Sequence, residues 1–117
     1  MHEYSIVQAL LTQCEEIAEQ NNAQSVQKVV VKIGKMSGVE PHLLEIAFNT
    51  FKEKTVCDGA DFVMTIQPLT IECNVCKTIT ELEEIYYKCP QCDSLDVRVV
   101  DGEEMFLMTL EMEQKHF

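Results

Sequence analysis

The sequence predicts an α/β fold: two helices packed on a small three-stranded mixed sheet, with a metal-held lobe inserted between two of the strands. Three observations lead there. Residues 5–21 and 41–54 carry apolar side chains at three- and four-residue steps, the signature of helices with one buried face. Residues 26–33, 62–67 and 105–112 alternate in the manner of half-buried strands. Between the second and third of these strands lie two Cys-x-x-Cys pairs, in a stretch poor in apolar residues.

The first helix is expected from Ser5, because Ser5 and Gln8 fit a capping box in which each side chain satisfies an orphan backbone donor. Val7, Leu10, Leu11, Cys14, Ile17 and Ala18 form its buried stripe, which makes Cys14 a packing residue, and Asn21-Asn22 is its stop. In the strand that follows, Val29, Val31 and Ile33 alternate with Lys28, Val30 and Lys32. Gly34 and Ser37-Gly38 mark a loop. Pro41 suits the first position of a second helix, whose stripe is Leu44, Ala47, Phe48 and Phe51 and whose end falls near Lys54. Cys57-Asp58-Gly59 is a turn, and Phe62, Met64 and Ile66 share one side of the next strand, which Pro68 ends. After the lobe, Asp101-Gly102 turns into a last strand, with Phe106, Met108 and Leu110 opposite Leu107, Thr109 and Glu111. That strand is expected to rejoin the first sheet, and residues 113–117, His116 among them, form a tail.

The lobe is organised around Cys73-Asn74-Val75-Cys76 and Cys89-Pro90-Gln91-Cys92, with the twelve residues Lys77 to Lys88 between them. A Cys-x-x-Cys turn sets two thiolates on one side of a tight knuckle, and two facing knuckles supply the closed sulfur tetrahedron that suits structural Zn²⁺. The spacer is long enough for a hairpin, so the lobe reads as zinc-ribbon-like. With Cys73, Cys76, Cys89 and Cys92 as four ligands the ion has no open position and builds structure without performing chemistry. Two disulfides are the bland alternative, and an iron–sulfur centre is the chemical rival because it also uses four thiolates. The few apolar residues of the lobe leave the ion to hold its fold.

The composition narrows the function. The 117 residues include 20 acidic and 9 basic side chains, a formal net charge of −11. A phosphate-binding module needs the opposite sign, so a zinc ribbon acting on nucleic acid in transcription or translation is disfavoured. Basic protein partners or cations suit it better. No run reaches the length of a transmembrane helix, and the start has neither basic region nor apolar signal core. The expected location is the cytoplasm, where the six cysteines are thiols or metal ligands. A metal-dependent hydrolase would need an open metal position beside a general base, which four cysteines do not provide.

A second metal candidate lies at the N-terminus. Bulky His2 favours retention of Met1 and its α-amine. The Met1 amine, the His2 and Glu3 backbone nitrogens and the His2 imidazole are adjacent donors, a possible in-plane set of four nitrogens of the kind that Ni²⁺ and Cu²⁺ favour. The carboxylate of Glu3, or of Glu40 at the start of the second helix, adds an oxygen. The positive end of a helix opposes a cation there. From composition alone a frayed surface residue is the ordinary reading of His2. His42 reads as a solvated helix position, and Glu81, Glu83 and Glu84 as a solvated face.

Met-His-Glu-Tyr-Ser at residues 1–5, Val-Val-Lys-Ile-Gly-Lys-Met-Ser-Gly-Val at 30–39 and the paired Cys-x-x-Cys motifs together resemble the HypA family, the nickel metallochaperones of [NiFe]-hydrogenase maturation. The resemblance covers essentially the whole chain. It implies nickel carried at Met1, His2 and Glu3, with Glu40 matching a nearby acidic position, and structural Zn²⁺ on Cys73, Cys76, Cys89 and Cys92. It divides the chain into a nickel-binding α/β domain, 1–68 plus 102–117, and a zinc-binding domain, 69–101. It implies a HypB-type GTPase partner and the hydrogenase large subunit as recipient, and in some members urease maturation as well. A homodimer is compatible with it; neither nucleic acid nor a membrane is required. Such a carrier makes and breaks no covalent bond and is not an enzyme. The chain departs from those members that carry a histidine after each knuckle, having Lys77-Thr78 and Asp93-Ser94 instead. Acid-linked histidine exchange at the zinc is therefore in doubt for this sequence.

Overall fold

The computed structural model describes residues 2–84 and 86–115. Two helices and six strands occur in the order α1 (His2–Gln20), β1 (Ala23–Gly34), α2 (Pro41–Phe51), β2 (Asp61–Gln67), β3 (Leu69–Cys73), β4 (Ile79–Leu82), β5 (Val97–Asp101) and β6 (Met105–Gln114). They build two three-stranded sheets, ordered β2-β1-β6 and β4-β3-β5. The first sheet is mixed: β2 runs parallel to β1 and β6 antiparallel to it. The chain leaves that sheet after β2, builds the second sheet, and returns as β6, so the lobe is an insertion between two strands as the sequence predicts.

Helix α1 begins at His2, not at Ser5. Tertiary contacts override the local capping box here. The Glu3 carboxylate accepts a hydrogen bond from the Glu40 backbone N–H at 3.2 Å, and the Tyr4 ring meets Phe51 edge-on at 4.4 Å, which together hold the first turn against α2. The helix stops where the sequence places it, with Asn22 in the left-handed region at φ 56°. Helix α2 starts at Pro41, capped by the Glu40 side chain, which accepts from the His42 N–H at 3.1 Å. It ends at Phe51, a turn earlier than Lys54, which instead takes a φ of 64°.

The helices bury one face of the first sheet. Val7, Cys14, Val26, Val29, Val31, Ile33, Leu44 and Phe48 form the centre of the core, and Phe48 stacks on Phe62 at 4.3 Å. Strict alternation fails in β6. The register with β1 shifts around Met108, so one residue is left over and the phase of the strand flips. Leu107 and Leu110 therefore both pack on the core, while Phe106 and Met108 are exposed, which corrects the expected grouping of Phe106, Met108 and Leu110. On β2, Phe62 and Met64 pack on the core but Ile66 is exposed.

The second sheet has a small core of Leu69, Ile71 and Leu82, against which Val97, Val99 and Met36 pack. Met36 comes from the loop after β1, so the lobe borrows apolar surface from the first domain. The junction is tied by Gly34 N–H to the Glu104 carbonyl, Met36 N–H to the Gly102 carbonyl, and Lys32 to the Asp101 carboxylate at 2.8 Å. The whole is elongated, 59 × 30 × 17 Å. Among the described residues no helix is long and apolar enough to cross a membrane.

Candidate metal centre

The two knuckles have the same backbone. In each, the residue after the second cysteine adopts a left-handed conformation, Lys77 at φ 65° and Asp93 at φ 63°. In each, that residue's N–H bonds the carbonyl of the first cysteine, Cys73 or Cys89, and the first cysteine's own N–H bonds the carbonyl of the residue one further on, Thr78 or Ser94. Among its described residues the spacer forms no hairpin of its own. It supplies the single strand β4, which pairs back on β3, while β5 takes the other edge of β3. Cys73 thus ends the central strand, and the second knuckle is brought beside it by Asn74, whose backbone N–H and side-chain amide both reach Asp96, at 2.9 and 3.0 Å.

All four Sγ atoms lie within 4.8 Å of one another, with Cys73 to Cys92 at 3.5 Å and Cys76 to Cys89 at 3.6 Å. A tetrahedral ion with metal–sulfur bonds of about 2.3 Å sets its ligands roughly 3.8 Å apart. The cage therefore fits one ion; a multi-iron cluster, with several atoms between the sulfurs, needs a wider one. Cys73 and Cys89 are buried, Cys76 and Cys92 exposed.

The protons of the cage are unevenly held. The Cys76 and Val75 N–H groups point at Cys73 Sγ and lower its pKa. The Thr78 hydroxyl, 3.3 Å from Cys76 Sγ, and the Thr78 N–H bring Cys76 down to about 6. At Cys92 the Ser94 N–H favours the thiolate, but the neighbouring sulfurs outweigh it and push the thiol up to about 12. A cation bound in the cage would displace the protons that remain on it.

The other sequence candidates fall as follows. Met1 and the side chain of His2 lie outside the described residues, as does His116. Glu3 is nearly buried, and its carboxylate touches the backbone of Glu40, so the structure brings these two acidic residues together. The backbone of His2 and Glu3 belongs to the first turn of α1. His42, Glu81, Glu83 and Glu84 are exposed, as the sequence suggests. Among the described residues no second cluster of three metal-ligating side chains comes together. Two features escaped the sequence reading. A hydroxyl two residues after each knuckle, Thr78 and Ser94, was legible as a repeat. The contact of buried Cys14 with buried Cys57, whose thiol is pushed up by hydrogen bonding to Cys14 and by burial, was not, because 43 positions separate them.

A family model described as "Hydrogenase/urease nickel incorporation, metallochaperone, hypA" matches residues 1–112. The chain is 56% identical over 113 residues to a hydrogenase maturation factor HypA of Aquifex aeolicus, covering 97% of this chain and 98% of that protein. It is 54% identical over 114 residues to the corresponding factor of Shewanella oneidensis, covering 97% of each. Its fold is similar to the solution structure of the Ni metallochaperone HypA from Helicobacter pylori, with a TM-score of 0.73, 36% identity, and 97% of this chain and 98% of that one covered.

Proposed function

Since the chain belongs to the HypA family, we infer that it is a nickel carrier for hydrogenase maturation, with a structural Zn²⁺ on Cys73, Cys76, Cys89 and Cys92. The observation that carries this reading is the extent of the likeness: the match begins at residue 1 and runs past both knuckles. Residues 1–68 plus 102–117 form the nickel-binding part and residues 69–101 the zinc-binding part. Ni²⁺ is the cargo. It is held by the Met1 amine, the His2 imidazole and the His2 and Glu3 backbone nitrogens, with Glu40 beside them. The carrier passes its ion on without chemistry of its own, in the cytoplasm, working with a HypB-type GTPase and the hydrogenase large subunit and, as the family description allows, with urease maturation factors.

Calorimetry with Ni²⁺ on zinc-loaded protein tests the site. His2→Ala, acetylation of the terminus, and extra residues before Met1 should each abolish tight binding while the zinc content stays constant. The extension is the sharpest of the three, because it keeps every side chain and destroys only the terminal chelate. Unchanged affinity in the extended form would move nickel to another site.

A further inference from the structure

Two sulfur pairs of the cage cross between the knuckles. Cys73 and Cys92 stand 3.5 Å apart, Cys76 and Cys89 3.6 Å. Each pair joins a buried sulfur to an exposed one: Cys73 and Cys89 are buried, Cys92 and Cys76 exposed. The exposed sulfur meets solutes, and its buried neighbour lies in contact behind it. That is the arrangement of an attacking and a resolving cysteine.

The two exposed sulfurs are not equivalent. Each receives the N–H of the residue two positions on, Thr78 or Ser94. Cys76 also has the Thr78 hydroxyl at 3.3 Å. The Ser94 hydroxyl instead accepts the Asp96 N–H at 3.0 Å. With an ion in the cage all four sulfurs are thiolates, so exposure and hydrogen bonding rank them, and protonation does not. A donor to a thiolate lowers its basicity and with it its nucleophilicity. Cys92 is exposed and, among the described residues, has no such hydroxyl, so it is the more reactive of the two.

We propose that the cage is a hydroperoxide-sensitive site, which Cys92 opens and Cys73 resolves. It rests on the four-thiolate reading above. The Cys92 thiolate takes one oxygen from hydrogen peroxide: an S–O bond forms, the O–O bond breaks, and hydroxide leaves. The Cys73 thiolate, 3.5 Å away, then attacks the Cys92 sulfenic acid: the S–S bond forms and a second hydroxide leaves. Two thiolates give up two electrons and one peroxide takes them. The cage is left with two of its four thiolates. The lobe, whose own core is Leu69, Ile71 and Leu82, then loses the ion that holds it. Cys14 and Cys57 are fully buried in the first domain and stay reduced.

The test uses the full-length, reduced, zinc-loaded protein and substoichiometric hydrogen peroxide. Dimedone traps sulfenic acid, and a chromophoric chelator reads released zinc. Peptide mass spectrometry should find the first dimedone adduct on Cys92, about threefold or more over Cys76, as a Brønsted slope of about 0.45 gives for each tenfold change in basicity. Without dimedone the first disulfide should be Cys73–Cys92, formed as zinc is released and reversed by a thiol reductant. Thr78→Val keeps the shape of the side chain and removes the hydroxyl. It should bring the Cys76 adduct up to the level of Cys92 at unchanged zinc content. A first adduct on Cys76, a first disulfide within one knuckle or at Cys14, or the wild-type adduct ratio in Thr78→Val would each overturn the proposal. Reduced protein that holds no zinc would instead remove the four-thiolate reading on which the proposal rests.

Discussion

Gly34 at the end of β1 lies directly against Gly102, the turn residue between β5 and β6. A Cβ on Gly34 would stand well inside contact distance of the Gly102 carbonyl, which already accepts the Met36 N–H at 2.8 Å. Gly102 itself sits at φ 102°, with Pro68 and Leu69 backbone atoms where its own Cβ would fall. The two sheets are joined at this crossing of backbones. Gly34→Ala should therefore cost about 1–3 kcal/mol as an overpacking defect, read from urea unfolding. Loosened contacts between Met36 and the second sheet should accompany it in amide exchange.

Lys32 and Asp101 bridge the same junction. The Lys32 ammonium, then the Gly102 N–H, hold the Asp101 carboxyl below the usual carboxylate range. A depressed folded-state pKa means that the bridge contributes in full above the unfolded value, about 3.9, and is lost as pH falls through the lower folded value. Asp101→Asn should cost about 1 kcal/mol, since both partners are partly solvated. The cost should be constant between pH 8 and 5; a difference that fades within that range would assign it to something other than this bridge.

Loss of a knuckle ligand should be far more damaging locally. Cys73→Ser or Cys92→Ser should release the ion and melt residues 69–101, because metal binding supplies on the order of 10 kcal/mol of folding energy in such lobes. The three buried aliphatic residues of that lobe, Leu69, Ile71 and Leu82, cannot replace it. The first sheet should persist on its own core, visible as retained helical dichroism. Full zinc content by elemental analysis in either variant would remove the four-thiolate assignment.

Metal uptake should release protons. Cys76, brought down to about 6, is already ionised near neutrality, whereas Cys92, at about 12, must release its proton to the buffer as the ion binds. Apparent affinity should therefore fall as pH drops from 8 to 6 in chelator competition. Calorimetry in buffers of different ionisation enthalpy should count the protons released; a pH-independent affinity would contradict the protonated thiol.

In the first domain, Phe48 carries the most. It is fully buried and stacks on Phe62. Phe48→Ala should cost about 3–5 kcal/mol in thermal unfolding while leaving metal content unchanged.

The sequence by itself determined the order of the two helices and of the three strands of the first sheet, the inserted lobe and the four clustered cysteines, but not the second sheet of β3, β4 and β5. These rest on local signals: periodicity of 3.6 or 2, Pro41 at a helix start, and two knuckles each closed within a few residues. The tertiary structure decided what local rules could not. Helix α1 begins at His2 because Glu3 and Tyr4 find Glu40 and Phe51, partners more than thirty residues away, and these outweigh a capping box worth about 1 kcal/mol. The face of β6 turns over at Met108 because pairing with β1 leaves one residue unmatched, and alternation read along a single strand carries no record of its partner's register. The pairing of Cys14 with Cys57 and the crossing of Gly34 with Gly102 have the same origin: both are contacts between surfaces that meet only after each element has found its place in the core.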